Sequence, residues 1–147
     1  MILHSDFKEF IQLLNKNKVE YLVIGGYAVV FHGYVRATGD MDVWVKNSPI
    51  NAIKVVKCLN EFGFDSLNIQ TKDVEKENTI IQLGYPPCRI DIVTTPDGIT
   101  FDECYAQRVK MELEKNLEVN FIDLDNLIKN KKASGRNKDL DDIENLK

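Results

Sequence analysis

Helix-like and strand-like segments interleave along this chain, which predicts an α+β (α/β mixed) fold with a small mixed β-sheet flanked by helices. Two observations carry that reading. Apolar residues recur at helical spacing in some stretches, while short β-branched runs bounded by Gly and Pro stand between them. The links between strands are of both kinds, long crossovers and one hairpin. With 147 residues, 44 % of them apolar and 29 % charged, the chain suits one soluble globular domain that can bury a real core.

Asp6 followed by Glu9 has the form of a capping box, and Phe7, Phe10, Ile11, Leu13 and Leu14 then mark an amphipathic helix to about Asn17. Tyr21-Leu22-Val23-Ile24 has strand character and stops at Gly25-Gly26. Tyr27 to His32 reads as a short buried helix closed by Gly33. Val35 to Gly39 is a connection, and Met41 to Lys46 alternates as a strand. Ser48 caps a helix with Pro49 at its first position, carrying Ile50, Ile53, Val56, Cys58, Leu59 and Phe62 and ending at Gly63. Thr79 to Leu83 and Cys88 to Thr94 read as a wide antiparallel hairpin around Pro86-Pro87. Thr100 with Glu103 forms a second capping box, for a helix to about Arg108. Val109 to Leu113 and Leu117 to Phe121 are shorter strands. Asp123 or Asp125 caps a helix holding Leu124, Leu127 and Ile128. A polar loop from Lys131 to Asn137 and a last helix from Lys138 to Leu146 follow. The expected organisation is a single domain over 1–147, with a basic loop and short helix at 129–147.

A net charge of −4 argues against bulk nucleic-acid binding, which depends on many Lys/Arg–phosphate contacts. Cys58, Cys88 and Cys104 are odd in number and widely spaced, which predicts reduced thiols rather than disulfides or a zinc site. The N-terminal residues lack a basic-then-apolar signal pattern, and no apolar run approaches a membrane span. A cytoplasmic protein that avoids membranes is expected.

The chemistry concentrates in Gly25-Gly26 followed by Asp40-Met41-Asp42. On a strand, residues two apart share a face, so Asp40 and Asp42 point one way while Met41, Val43 and Val45 enter the core. Two close carboxylates repel unless a cation lies between them, and such oxygen ligands suit Mg²⁺ or Mn²⁺. The glycine pair stands where a strand gives way to a helix, and helix N-termini bind phosphate. Asp91, inside the apolar run Arg89-Ile90-Asp91-Ile92-Val93, is the third acid. Two explanations fit its burial: a metal shared with Asp40 and Asp42, or an ion pair with Arg89 or Arg36. Three acids allow two-metal chemistry on a phosphoryl group, with Asp91 on the side of the attacking hydroxyl. Trp44, on the face of Asp40 and Asp42, is either a base-stacking platform or core packing. His32 reads as a packed, hydrogen-bonded residue. Lys129, Lys131, Lys132, Arg136 and Lys138 then place five positive charges within ten residues, ahead of Asp139, Asp141, Asp142 and Glu144. This is either a solvated loop or a triphosphate-binding segment oriented by Asp139 and Asp142.

Gly25-Gly26, Arg36-x-Thr38-x-Asp40-x-Asp42 and a strand-borne Asp91 together resemble the DNA polymerase β-like nucleotidyltransferase superfamily. The branch that the pattern is similar to holds small bacterial and archaeal nucleotidyltransferases, related to abortive-infection type toxins. Lys132-x-Ser134-Gly135-Arg136-x-Lys138-Asp139-Leu140-x-Asp142-Ile143 is similar to the tail motif of that branch. The resemblance implies a nucleotidyltransferase-like fold and metal-dependent transfer of a nucleoside monophosphate from an NTP to an acceptor, with release of pyrophosphate. It implies that Gly25 and Gly26 hold the triphosphate, that Asp40, Asp42 and Asp91 bind metal and carry catalysis, and that Arg36 and Thr38 lie beside the nucleotide. Lys132, Arg136 and Lys138 are the expected phosphate contacts of the tail. Tyr27 departs from the Ser that many relatives carry there, and backbone N–H groups stand in for that hydroxyl. RNA, protein and small-molecule acceptors all fit the sequence. A protein partner or second copy is expected to complete so small a cleft. The alternative is a non-catalytic nucleotide- or partner-binding module of toxin–antitoxin type.

Overall fold

The computed structural model describes residues 3–146; Met1, Ile2 and Lys147, at the ends of the expected 1–147 domain, lie outside the described residues. Helix α1 (Ser5–Lys16) leads into β1 (Tyr21–Ile24), α2 (Gly25–Phe31) and β2 (Met41–Val45). Helix α3 (Pro49–Glu61), a 3₁₀ turn (Asp65–Leu67) and α4 (Thr71–Glu75) precede the hairpin of β3 (Ile80–Leu83) and β4 (Ile90–Val93). Then come α5 (Phe101–Ala106), β5 (Val109–Glu114), β6 (Leu117–Phe121), α6 (Leu124–Ser134) and α7 (Asn137–Leu146). The six strands form one mixed sheet in the order β3-β4-β2-β1-β6-β5. β2–β4 and β1–β6 are parallel, and the other pairs are antiparallel.

Local chemistry explains most of the boundaries. Ser48 accepts from the Asn51 N–H at 3.3 Å and Pro49 opens α3, as its sequence predicts. The Asp6–Glu9 capping box does not form: His4 is the cap, its Nδ1 accepting from the Asp6 N–H at 3.1 Å. Thr100 likewise makes no side-chain cap bond. Residues 64–78, without an assigned element in the sequence reading, contain α4, whose Gln70 N–H bonds back to Asp73 Oδ2 at 2.8 Å. The expected polar loop at 131–137 is a correction: α6 runs on through Lys131 and Lys132 to Ser134, and Gly135 ends it at φ +64°.

The core covers both faces of the central strands. All four residues of β1 are buried. Met41, Val43 and Val45 are buried on one face of β2. On the other face Trp44 is equally buried, donates its indole N–H to the Thr94 carbonyl at 3.0 Å and meets the edge of Phe101 at 5.1 Å. Trp44 is therefore core rather than a base-stacking platform. His32 Nε2 lies 2.7 Å from the Ile122 carbonyl, the packed role expected of it. All three cysteines are free. Among the described residues no helix is long and apolar enough to cross a membrane.

Candidate active site

Strand register brings the acids together. In the parallel β2–β4 pair Asp42 lies directly opposite Asp91, so both side chains leave the same face. Their neighbours Met41, Val43, Ile90 and Ile92 are at most 2 % exposed and anchor the two strands from below. Asp40, just before β2, joins them. All three acids line a single cleft of about 910 Å³ together with Gly25, Gly26, Arg36 and Thr38. The three acids thus converge beside the glycine pair.

The glycines have a steric reason to be glycines. Gly25 takes φ +66°, and a Cβ there would lie 2.2 Å from Asp42 Oδ2. A Cβ on Gly26 would lie 2.2 Å from Thr38 Oγ1. The missing side chains let the backbone at the start of α2 press against Asp42 and Thr38. Ile24, at the cap position, offers no side-chain acceptor to the first turn of α2. The N–H groups of that turn are thus left without a side-chain cap beside the cleft.

Arg89 is the cation that two of the acids face. Its guanidinium is 2.7 Å from Asp40 Oδ2 and 2.8 Å from Asp91 Oδ1, with a second bond to Asp91 Oδ2 at 3.0 Å. Of the two readings of Asp91, the ion pair with Arg89 is the contact present. Asp42 makes no ion pair among the described residues. Burial, then the charges of Asp91 and Asp40, push its carboxyl from the ordinary 3.8 up to about 6. Among the described residues no group of three or more His, Cys, Asp or Glu side chains is arranged to hold a metal ion as it stands. The donor set nevertheless fits a hard divalent cation. It offers only carboxylate oxygens, and one of the acids, Asp42, is a half-buried charge with no ion-pair partner among the described residues.

The C-terminal helices supply the basic wall. Lys131, only 5 % exposed, bridges Asp139 and Asp142 at 3.1 Å each. Arg136 bonds Asp139 at 2.8 Å, and Arg36 grips Asp142 with two bonds of 2.8 and 3.0 Å. Burial raises the Asp139 carboxyl, but the bonds from Arg136 and Lys131 outweigh it and hold the group below its usual range. Tyr34 adds a bond to Asp141 at 3.1 Å. These contacts tie the loop before β2, which carries Thr38 and Asp40, to α7. Asp139 and Asp142 do orient basic groups, but the groups are Lys131, Arg136 and Arg36. Lys138 and Arg136 line the cleft, whereas the exposed Lys132 is absent from its lining. Sequence reasoning passed over Lys131 as a loop residue. The signal was there: Leu124, Leu127 and Lys131 keep helical spacing, and Gly135 marks the true end.

Comparison with known proteins places this architecture. The family model described as "Nucleotidyltransferase of unknown function (DUF6036)" matches residues 3–147. Among solved structures, lincomycin-bound lincosamide antibiotic adenylyltransferase LnuA superposes with a TM-score of 0.57. That match has 16 % identity and covers 99 % of this chain and 96 % of the other, a likeness of fold. No curated protein matches.

Proposed function

We propose that this chain, which belongs to the nucleotidyltransferase family of unknown function DUF6036, moves a nucleoside monophosphate from an NTP to a hydroxyl acceptor and releases pyrophosphate. The observation that carries this reading is the composition of one cleft. Acids, uncapped helix amides and a basic wall surround the same space. The triphosphate lies along the start of α2, where Gly25 and Gly26 allow close approach and N–H groups meet phosphate oxygens. Arg136 and Lys138 approach it from the basic wall and offset its charge, while Arg36 and Thr38 fix the loop beside it. The acceptor oxygen attacks the α-phosphorus, the bond to the bridging β-phosphate oxygen breaks, and pyrophosphate leaves. Asp91 takes the acceptor proton.

Asp40, Asp42 and Asp91 would hold Mg²⁺ or Mn²⁺, which when bound neutralises the phosphate charge and favours in-line displacement. The unpaired, elevated carboxyl of Asp42 is what fits this part of the reading. The single domain expected from the sequence would carry the reaction, with a partner or second copy extending the cleft.

The test is transfer of α-labelled NTPs with Mg²⁺ or Mn²⁺ to acceptor fractions of a lysate. Wild-type protein should label a product and Asp42→Asn should not. Equal labelling by both would overturn the site. Metal-dependent NTP binding without pyrophosphate release would instead support the non-catalytic module.

A further inference from the structure

The lining of the cleft is uneven in charge. Arg36, Lys131, Arg136 and Lys138 stand on one side, from the loop before β2 and from the C-terminal segment. The part of the lining carried by β3, β4 and the turn after them contains Thr79, Ile80, Val93, Thr95 and Pro96, with no Lys or Arg among them, and Asp97 joins it to α6, its carboxylate accepting from Ser134 Oγ at 3.3 Å. The remaining basic residue of the lining, Arg89, is bound to Asp40 and Asp91.

Register places the uncharged wall on the acid face of the sheet. Ile80 pairs with Val93 across β3–β4, and Trp44 pairs with Val93 across β2–β4. Val93 and Ile80 thus continue the face of Asp42 and Asp91, about 7 Å further along the strands. Ile80 is 61 % exposed there. An open aliphatic side chain beside a carboxylate cluster forms an apolar floor next to the reacting centre. A nucleic-acid acceptor needs basic groups for its flanking phosphates, and this wall supplies none. A small molecule needs a mostly apolar surface with a few polar groups, which Thr79 and Thr95 provide.

We propose that the acceptor is a small, non-anionic hydroxyl compound with an apolar face, seated over Ile80 and Val93, and not a nucleic-acid end. This rests on the nucleotidyl-transfer reading above. The exposed carboxylate of Asp97 favours a compound that carries no negative charge of its own.

The experiment uses the full chain, Mg²⁺ and the four α-labelled NTPs. Acceptors come from one lysate as an ultrafiltrate passed through an anion exchanger, the material retained on that exchanger, total RNA, and total protein. Label should enter the exchanger flow-through. Ile80→Asp should slow that labelling by about tenfold, and Ile80→Leu should preserve it. Affinity for a non-hydrolysable NTP analogue, measured by calorimetry, should stay within about twofold in both variants. Labelling of RNA, of protein or of retained anions overturns the proposal, as does an Ile80→Asp protein as fast as wild type. If the analogue binds and no fraction is labelled, or if the analogue does not bind, the transfer reading itself fails and this proposal falls with it.

Discussion

Replacing Asp42 with Asn should stabilise the metal-free protein while abolishing transfer. The magnitude follows from the half-buried carboxyl. Moving it from 3.8 to about 6 means that its charged form is disfavoured in the folded state, by about 3 kcal/mol at neutral pH. The sign runs with proton binding. Near pH 3 the group is protonated whether the chain is folded or not, and the penalty is absent. Between 3.8 and about 6 the folded protein holds the proton more tightly, so stability falls as pH rises. Above about 6 the penalty is complete. Asn carries no charge and lacks this dependence. Urea unfolding in EDTA, at about pH 4 and about pH 8, should show the variant's advantage growing by about 2 kcal/mol across that window. For a chain of this size that corresponds to about 4–8 °C in Tm. Mg²⁺ should then raise the Tm of wild type and leave the variant unmoved. Parallel pH curves for the two proteins would refute the reasoning, because they would mean that the charge of Asp42 is not disfavoured by folding.

The remaining expectations concern its neighbours. Arg89→Gln removes the cation between Asp40 and Asp91, so the EDTA-treated protein should melt lower while Mg²⁺ affinity by calorimetry rises severalfold; unchanged affinity would show that Arg89 and the ion do not compete. Lys131→Ala leaves Asp139 with Arg136 and Asp142 with Arg36, so the loss should be about 2–3 kcal/mol by urea unfolding rather than a larger one. Gly26→Ala drives a Cβ into Thr38 Oγ1 and should cost about 1–3 kcal/mol. Adding Thr38→Ala should recover part of that loss, a coupling that a double-mutant cycle measures.

How far the site could be read in advance depended on range. Strand alternation and the glycine pair sufficed for Asp40, Asp42, Gly25 and Gly26, because their relation is local in sequence. Asp91 was identifiable as an acid in an apolar run, although its place opposite Asp42 depends on a parallel pairing across a long crossover, which no local pattern specifies. The function of the glycines was only half legible. Their position points to phosphate binding, whereas the close approach of Asp42 and Thr38 is a tertiary contact that no local pattern encodes. Caps misled twice, since Asp6–Glu9 and Thr100–Glu103 satisfy the pattern without forming the bonds, and His4 holds the first helix instead. The basic tail misled by composition. Five cations look like a solvated loop, but Lys131 is buried because two carboxylates of α7 enclose its ammonium group.

The direct pairing of Asp42 with Asp91 also bears on how the site is made. Both acids belong to interior strands of the sheet, and the residues on either side of them are the core itself. A slip of one residue between β2 and β4 would turn Asp42 or Asp91 inward and put an aliphatic side chain outside. The hydrophobic effect that fixes the register therefore also sets the gauge between the carboxylates. Assembly of the acid pair and completion of the fold are one cooperative event, and a chain that has folded has already aligned them.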